Sequence, residues 1–158
     1  MPNLEIIKEK LIQKGFPELQ NKKIVIEFNP QFTDGLLEYD RLGENEYYIQ
    51  INELLLQAPE EALEGGLAHE FAHILTELKM SLAASKLETI RYKFSRKYRA
   101  LDERETDLLA LLRGYGYHLF QLCQFSRSLG RPETEDNGLT MKELEHLLKL
   151  SATISVQN

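Results

Sequence analysis

The sequence predicts an α+β fold, a small antiparallel sheet followed by helices packed behind it. Apolar residues alternate over short runs before residue 52 and recur at helical spacing after residue 59. The strand-like runs also lie close together, which suits an antiparallel meander. At 158 residues with 42% hydrophobic and 28% charged side chains, the chain suits one domain spanning 1–158 with a core of its own.

Asn3 to Lys14 places Leu4, Ile7, Leu11 and Ile12 on one face and reads as an opening helix. Lys23 to Phe28 alternates, with Ile24, Ile26 and Phe28 on one side, and reads as a strand. Gly35 to Leu42 is a second strand, and the Gly43-Glu44-Asn45 turn leads to a third at Glu46 to Asn52. Pro59-Glu60-Glu61 opens a helix, because proline fits the first turn and acids there complement the dipole. Its periodicity runs to about Leu82.

Ser85 to Arg99, rich in Lys and Arg, fits either a helix or a mobile loop, and its charge reads as a solvated face. Ala100 to Arg113 is a helix that Gly114-Tyr115-Gly116 bends or ends. Helical spacing resumes through Leu129, and Gly130-Arg131-Pro132 stops it. Thr140-Met141-Lys142-Glu143 has the spacing of a capping box and starts a terminal helix.

A net charge of −6 argues against a nucleic-acid partner. The longest apolar run, about Leu108 to Leu112, is far too short to span a bilayer, so no membrane partner is expected. Nothing in Met1 to Leu11 resembles a signal peptide, which makes the cytoplasm the expected address. Cys123 is the only cysteine, which excludes an internal disulfide and a cysteine-built metal site.

The chemistry concentrates in His69-Glu70-Phe71-Ala72-His73. Histidines four apart on a helix project from one face, one turn apart, and can bind one zinc ion through neutral ring nitrogens. Glu70 stands beside them and can take a proton from an attacking water. Leu63, Phe71, Ile74, Leu78 and Leu82 cluster within roughly 60° of Leu67, and the histidines fall on the opposite side. Ala62 and Gly66 share the histidine face, where small residues suit close approach by another segment or a substrate.

A catalytic zinc keeps three protein ligands and an open position. The segment Leu101 to Ala110 offers four acids. Glu103 and Asp107 share a helical stripe with Ala110 and Gly114, apart from the apolar stripe of Leu101, Leu108, Leu111, Tyr115 and Leu119. Glu105 points elsewhere. Helical geometry permits either Glu103 or Asp107 as the third ligand.

An HExxH helix followed by a helix bearing ExxxD resembles the gluzincin branch of the zincin metallopeptidases, in particular its minimal single-domain members. The likeness spans residues 46 to 114. It implies a zincin-like fold with His69, His73 and Glu103 as zinc ligands, Glu70 as general base and Asp107 holding a ligand histidine from behind. It also implies hydrolysis of a peptide or protein substrate, and an edge strand beside the cleft, here 46 to 52, on which an extended peptide adds itself. Thr106 stands where the family often has alanine. Tyr115, Tyr117 and His118 are candidates by residue type for the family's oxyanion-stabilising group. The rival expectation is a non-catalytic zinc-containing module that binds a peptide or protein partner, and Glu70, of no use to a purely structural site, favours chemistry. A regulatory protease for one protein partner is a third expectation.

Overall fold

A computed structural model describes residues 2–156, with the side chains of 135 and 153–156 excepted. Helix α1 (Leu4–Lys14) starts at Asn3, whose side chain accepts the Ile6 N–H. Three strands follow: β1 (Lys23–Phe28), β2 (Leu37–Arg41) and β3 (Glu46–Ile51). The helical half comprises α2 (Glu60–Glu77), α3 (Leu82–Phe94), α4 (Arg96–Ala110), α5 (Gly116–Ser128) and α6 (Met141–Val156).

The α+β class holds, but the sheet is mixed, not the antiparallel meander the spacing suggested. Its order is β1-β3-β2, with β1 parallel to β3 and β2 antiparallel to it. Tyr47, Ile49 and Ile51 are buried, so β3 carries the most apolar face and takes the centre. In β2, Glu38 and Asp40 are exposed and alternate with half-buried Leu37, Tyr39 and Arg41, a pattern suited to an edge. The β2–β3 turn is closed by Leu42 and Gly43 N–H groups donating to the Glu46 carbonyl.

Leu63, Leu67, Phe71 and Ile74 of α2 join Ile24, Ile26 and the β3 residues in one hydrophobic cluster, completed by Leu11, Phe16 and Leu19. Helix α2 ends at Glu77, short of Leu82, because the Ser81 hydroxyl accepts the Ala84 N–H and opens α3. Ser95 does the same for α4 through the Tyr98 N–H. The basic 85 to 99 segment is therefore most of α3 and the first turn of α4. Gly114 at φ 97° breaks the helix after α4, and α5 leaves in a new direction. The capping box at α6 forms: Thr140 N–H donates to Glu143, and the Glu143 N–H to the Thr140 hydroxyl. Among the described residues no helix is long and apolar enough to cross a membrane.

Two glycines let α2 be approached closely. A Cβ on Gly66 would meet the Leu37 side chain at 2.4 Å, so the small residue on the histidine face admits β2. A Cβ on Gly65 would stand 2.3 Å from the His118 carbonyl oxygen, backbone that cannot swing aside. Gly65→Ala gains up to about 1 kcal/mol of helix propensity. Overpacking against the α5 backbone costs about 1–3 kcal/mol and should win. The expected result is a lower midpoint in urea unfolding; a raised midpoint would refute the close α2–α5 contact.

Candidate metal centre

His69 and His73 project from successive turns of α2 toward α4. Their Nε2 atoms stand 3.1 Å apart. Glu103 of α4 meets both, with Oε2 at 3.1 Å from His69 Nε2 and Oε1 at 3.5 Å from His73 Nε2. Ligand atoms about 2.0–2.1 Å from a tetrahedral ion stand roughly 3.3 Å from one another, so these spacings trace three corners of such a site. Two imidazoles and a carboxylate are also a donor set suited to a divalent cation. His69, His73 and Glu103 could together hold a metal ion.

Each imidazole is held from behind. Asp107 Oδ1 lies 2.7 Å from His69 Nδ1, and a carboxylate only accepts, so Nδ1 carries the proton and Nε2 is left to face the cluster. Asp107 Oδ2 accepts the Leu139 N–H at 2.7 Å, which ties the segment before α6 to the site. That approach needs a glycine beside it: Gly138 has φ 94°, and a Cβ there would fall 2.1 Å from Asp107 Oδ2. His73 Nδ1 lies 3.2 Å from the Thr106 hydroxyl and 3.5 Å from Asp102 Oδ2. The Tyr39 ring stacks on His73 with centroids 5.3 Å apart, and its hydroxyl donates to Glu77. The Tyr92 hydroxyl donates to Glu103 Oε1.

The electrostatics follow from burial and mutual proximity. Burial disfavours the His69 imidazolium, but the Asp107 and Glu103 carboxylates outweigh it and raise its pKa well above the usual value. Burial likewise disfavours the Glu103 carboxylate, and the two histidines reverse the sign, holding it well below the usual carboxylate range. Cation and proton therefore compete at His69, and metal affinity should weaken as pH falls. Glu70 is buried beside the pair, and among the described residues no hydrogen-bond donor reaches its carboxylate. Burial raises its pKa against the pull of His69 and His73.

No family model, curated protein or solved structure matches this chain. The site therefore rests on its own geometry. A cleft of about 860 Å³ opens over the cluster, between β2, α3 and residues 131–140. The strand beside it is β2, which corrects the expectation placed on 46 to 52. β3 is hydrogen-bonded on both sides and can take no further strand, whereas β2 has one free edge.

The five residues singled out from the sequence, His69, Glu70, His73, Glu103 and Asp107, all line this cleft. Glu105 is exposed on another face of α4. Tyr115, Tyr117 and His118 do not reach the cleft. Tyr115 stacks on Phe16, Tyr117 lies half exposed, and His118 Nε2 sits 3.2 Å from Glu64 of α2. Sequence reasoning missed Tyr39, Tyr92, Asp102 and Leu139, and treated Thr106 only as a tolerated departure. Thr106 carried a usable signal: it lies three residues past Glu103, on a stripe otherwise made of acids and small residues.

Proposed function

We propose that this chain is a zinc-dependent metallopeptidase of the gluzincin type, with a zincin-like arrangement of β2, α2 and α4. The observation that carries this reading is the convergence of His69, His73 and Glu103 beside a buried Glu70 at the floor of an open cleft. His69, His73 and Glu103 hold the ion, Asp107 orients His69, and Thr106 faces the free nitrogen of His73. Zinc, when bound, supplies a Lewis acid for the scissile carbonyl and lowers the pKa of water to about 7. Glu70 accepts the proton of the attacking water and passes it to the departing amine. The substrate is an extended segment of a peptide or protein, laid antiparallel or parallel on the free edge of β2.

A zinc-holding module that binds a peptide without cutting it is the second reading. The distance of Tyr115, Tyr117 and His118 from the cleft favours it, since none of them can steady a developing oxyanion there. Tyr92, whose hydroxyl already reaches Glu103, weighs on the other side.

Elemental analysis after zinc reconstitution should find about one zinc per chain, lost when both histidines are replaced. A peptide library should then be cut in a chelator-sensitive manner. Absence of zinc uptake would remove both readings, and uptake with binding but no cleavage would leave the second.

A further inference from the structure

Helix α3 is turned inside out. Its one buried residue is Ser85, which donates to Glu77, and Tyr92 on the same inner side donates to Glu103. Three of its large apolar residues lie open to solvent: Leu87 is 65% exposed, Ile90 54% and Phe94 87%. Their spacing of three and then four residues makes one continuous stripe on a helix. Cations flank the stripe on both sides, Lys86 and Lys93 on one and Arg91 on the other. Among the described residues neither lysine has an ion-pair partner, and the exposed residues of α3 include no acid or amide. Residues 82–99 hold six of the 19 Lys and Arg but one of the 25 Asp and Glu, in a chain of net charge −6.

A stripe of this kind covers itself against something apolar and anionic. Two copies meeting face to face through α3 would set Lys86, Arg91 and Lys93 against themselves, which opposes a closed dimer. A groove in a protein partner calls for directional polar pairing around the anchors, which this surface of long, flexible cations does not provide. A lipid boundary asks for less. Leu87, Ile90 and Phe94 can enter the headgroup–acyl interface, while the Lys and Arg stems lie along it and their charges reach anionic phosphates. The acidic remainder of the chain is repelled by such a surface, which restricts docking to this face.

We propose that α3 is a membrane-surface docking helix that lies in the plane of an anionic phospholipid layer through Leu87, Ile90 and Phe94. Lys86, Ile90 and Lys93 also border the cleft, so docking turns its mouth toward the lipid. This inference is independent of the peptidase reading.

The test is co-sedimentation of the full chain with unilamellar vesicles of phosphatidylcholine alone or of equimolar phosphatidylcholine and phosphatidylglycerol. Binding is expected to the anionic vesicles only. It should fall by at least about tenfold in Lys86→Glu/Lys93→Glu and in Leu87→Ser/Phe94→Ser. Both variants alter exposed side chains, so unchanged circular dichroism melting is expected and separates lost docking from lost folding. No binding to anionic vesicles, the outcome a protein groove partner would give, overturns the proposal. So does binding that survives both double substitutions.

Discussion

Glu70→Gln should retain its zinc and lose at least about a hundredfold in peptide cleavage. The substitution keeps the size and shape of a buried side chain and leaves His69, His73 and Glu103 untouched. What it removes is the only carboxylate on α2 that adjoins both histidines without facing them across the cluster. An amide cannot take a proton from water, so the attacking nucleophile goes unactivated. Burial raises the Glu70 pKa, which brings it nearer to neutral pH, where a general base works best. The same shift fixes the sign of the stability effect. A carboxyl whose folded pKa lies above its unfolded value costs the fold stability as pH rises from the unfolded value through the folded one, and the cost is constant above that. The metal-free Gln variant should therefore melt no lower than the wild type at neutral pH, so a fall in activity cannot be ascribed to unfolding. Equal cleavage by the two proteins, or loss of zinc from the variant, would remove Glu70 from the role of base.

The parts of this site that could be read in advance are those set by one helix at a time. Four-residue spacing placed His69 over His73, and Glu103 over Asp107, and small residues on the same stripes marked where segments approach. Local rules could not supply what arrives from elsewhere in the chain. Tyr39 comes from an edge strand, Tyr92 from the helix before, and the Leu139 N–H from the loop before α6. Each is fixed by packing between distant segments, and no periodicity records it. Helix ends were misjudged for a different reason. Ser81 and Ser95 sit inside segments whose apolar spacing continues through them, and a single capping hydrogen bond decides the break. The sheet failed on topology. Closeness in sequence favoured a meander, but the burial demanded by Tyr47, Ile49 and Ile51 put the last strand in the middle. The apolar stripe on α4 was also misleading as a guide to burial. Leu101 and Leu108 are exposed, and the residues that α4 buries are Thr106, Asp107 and Ala110.

Glu103→Ala should weaken zinc binding more than Asp107→Ala, and Glu105→Ala should leave it nearly unchanged. Helical spacing alone allowed either acid to be the third ligand, and their contacts now differ. Glu103 places its two oxygens 3.1 Å and 3.5 Å from the two Nε2 atoms, on the side where an ion would sit. Asp107 spends both oxygens elsewhere, one on His69 Nδ1 and one on the Leu139 N–H. Losing an orienting carboxylate typically costs about 10–100-fold in metal affinity, and losing a direct ligand costs more. Both substitutions, Glu103→Ala and Asp107→Ala, should also lower the stability of the metal-free protein. Asp107→Ala leaves the buried Leu139 N–H without its acceptor, worth about 1–3 kcal/mol. Glu103→Ala removes a carboxylate that the two histidines favour in its ionised form, and it takes the acceptor from the Tyr92 hydroxyl. Chelator competition at fixed pH would rank the affinities, and urea unfolding without metal would measure the stabilities. If Asp107→Ala proved the more damaging to zinc binding and Glu103→Ala harmless, the gluzincin reading would fall, and only a histidine-based site at His69 and His73 would remain.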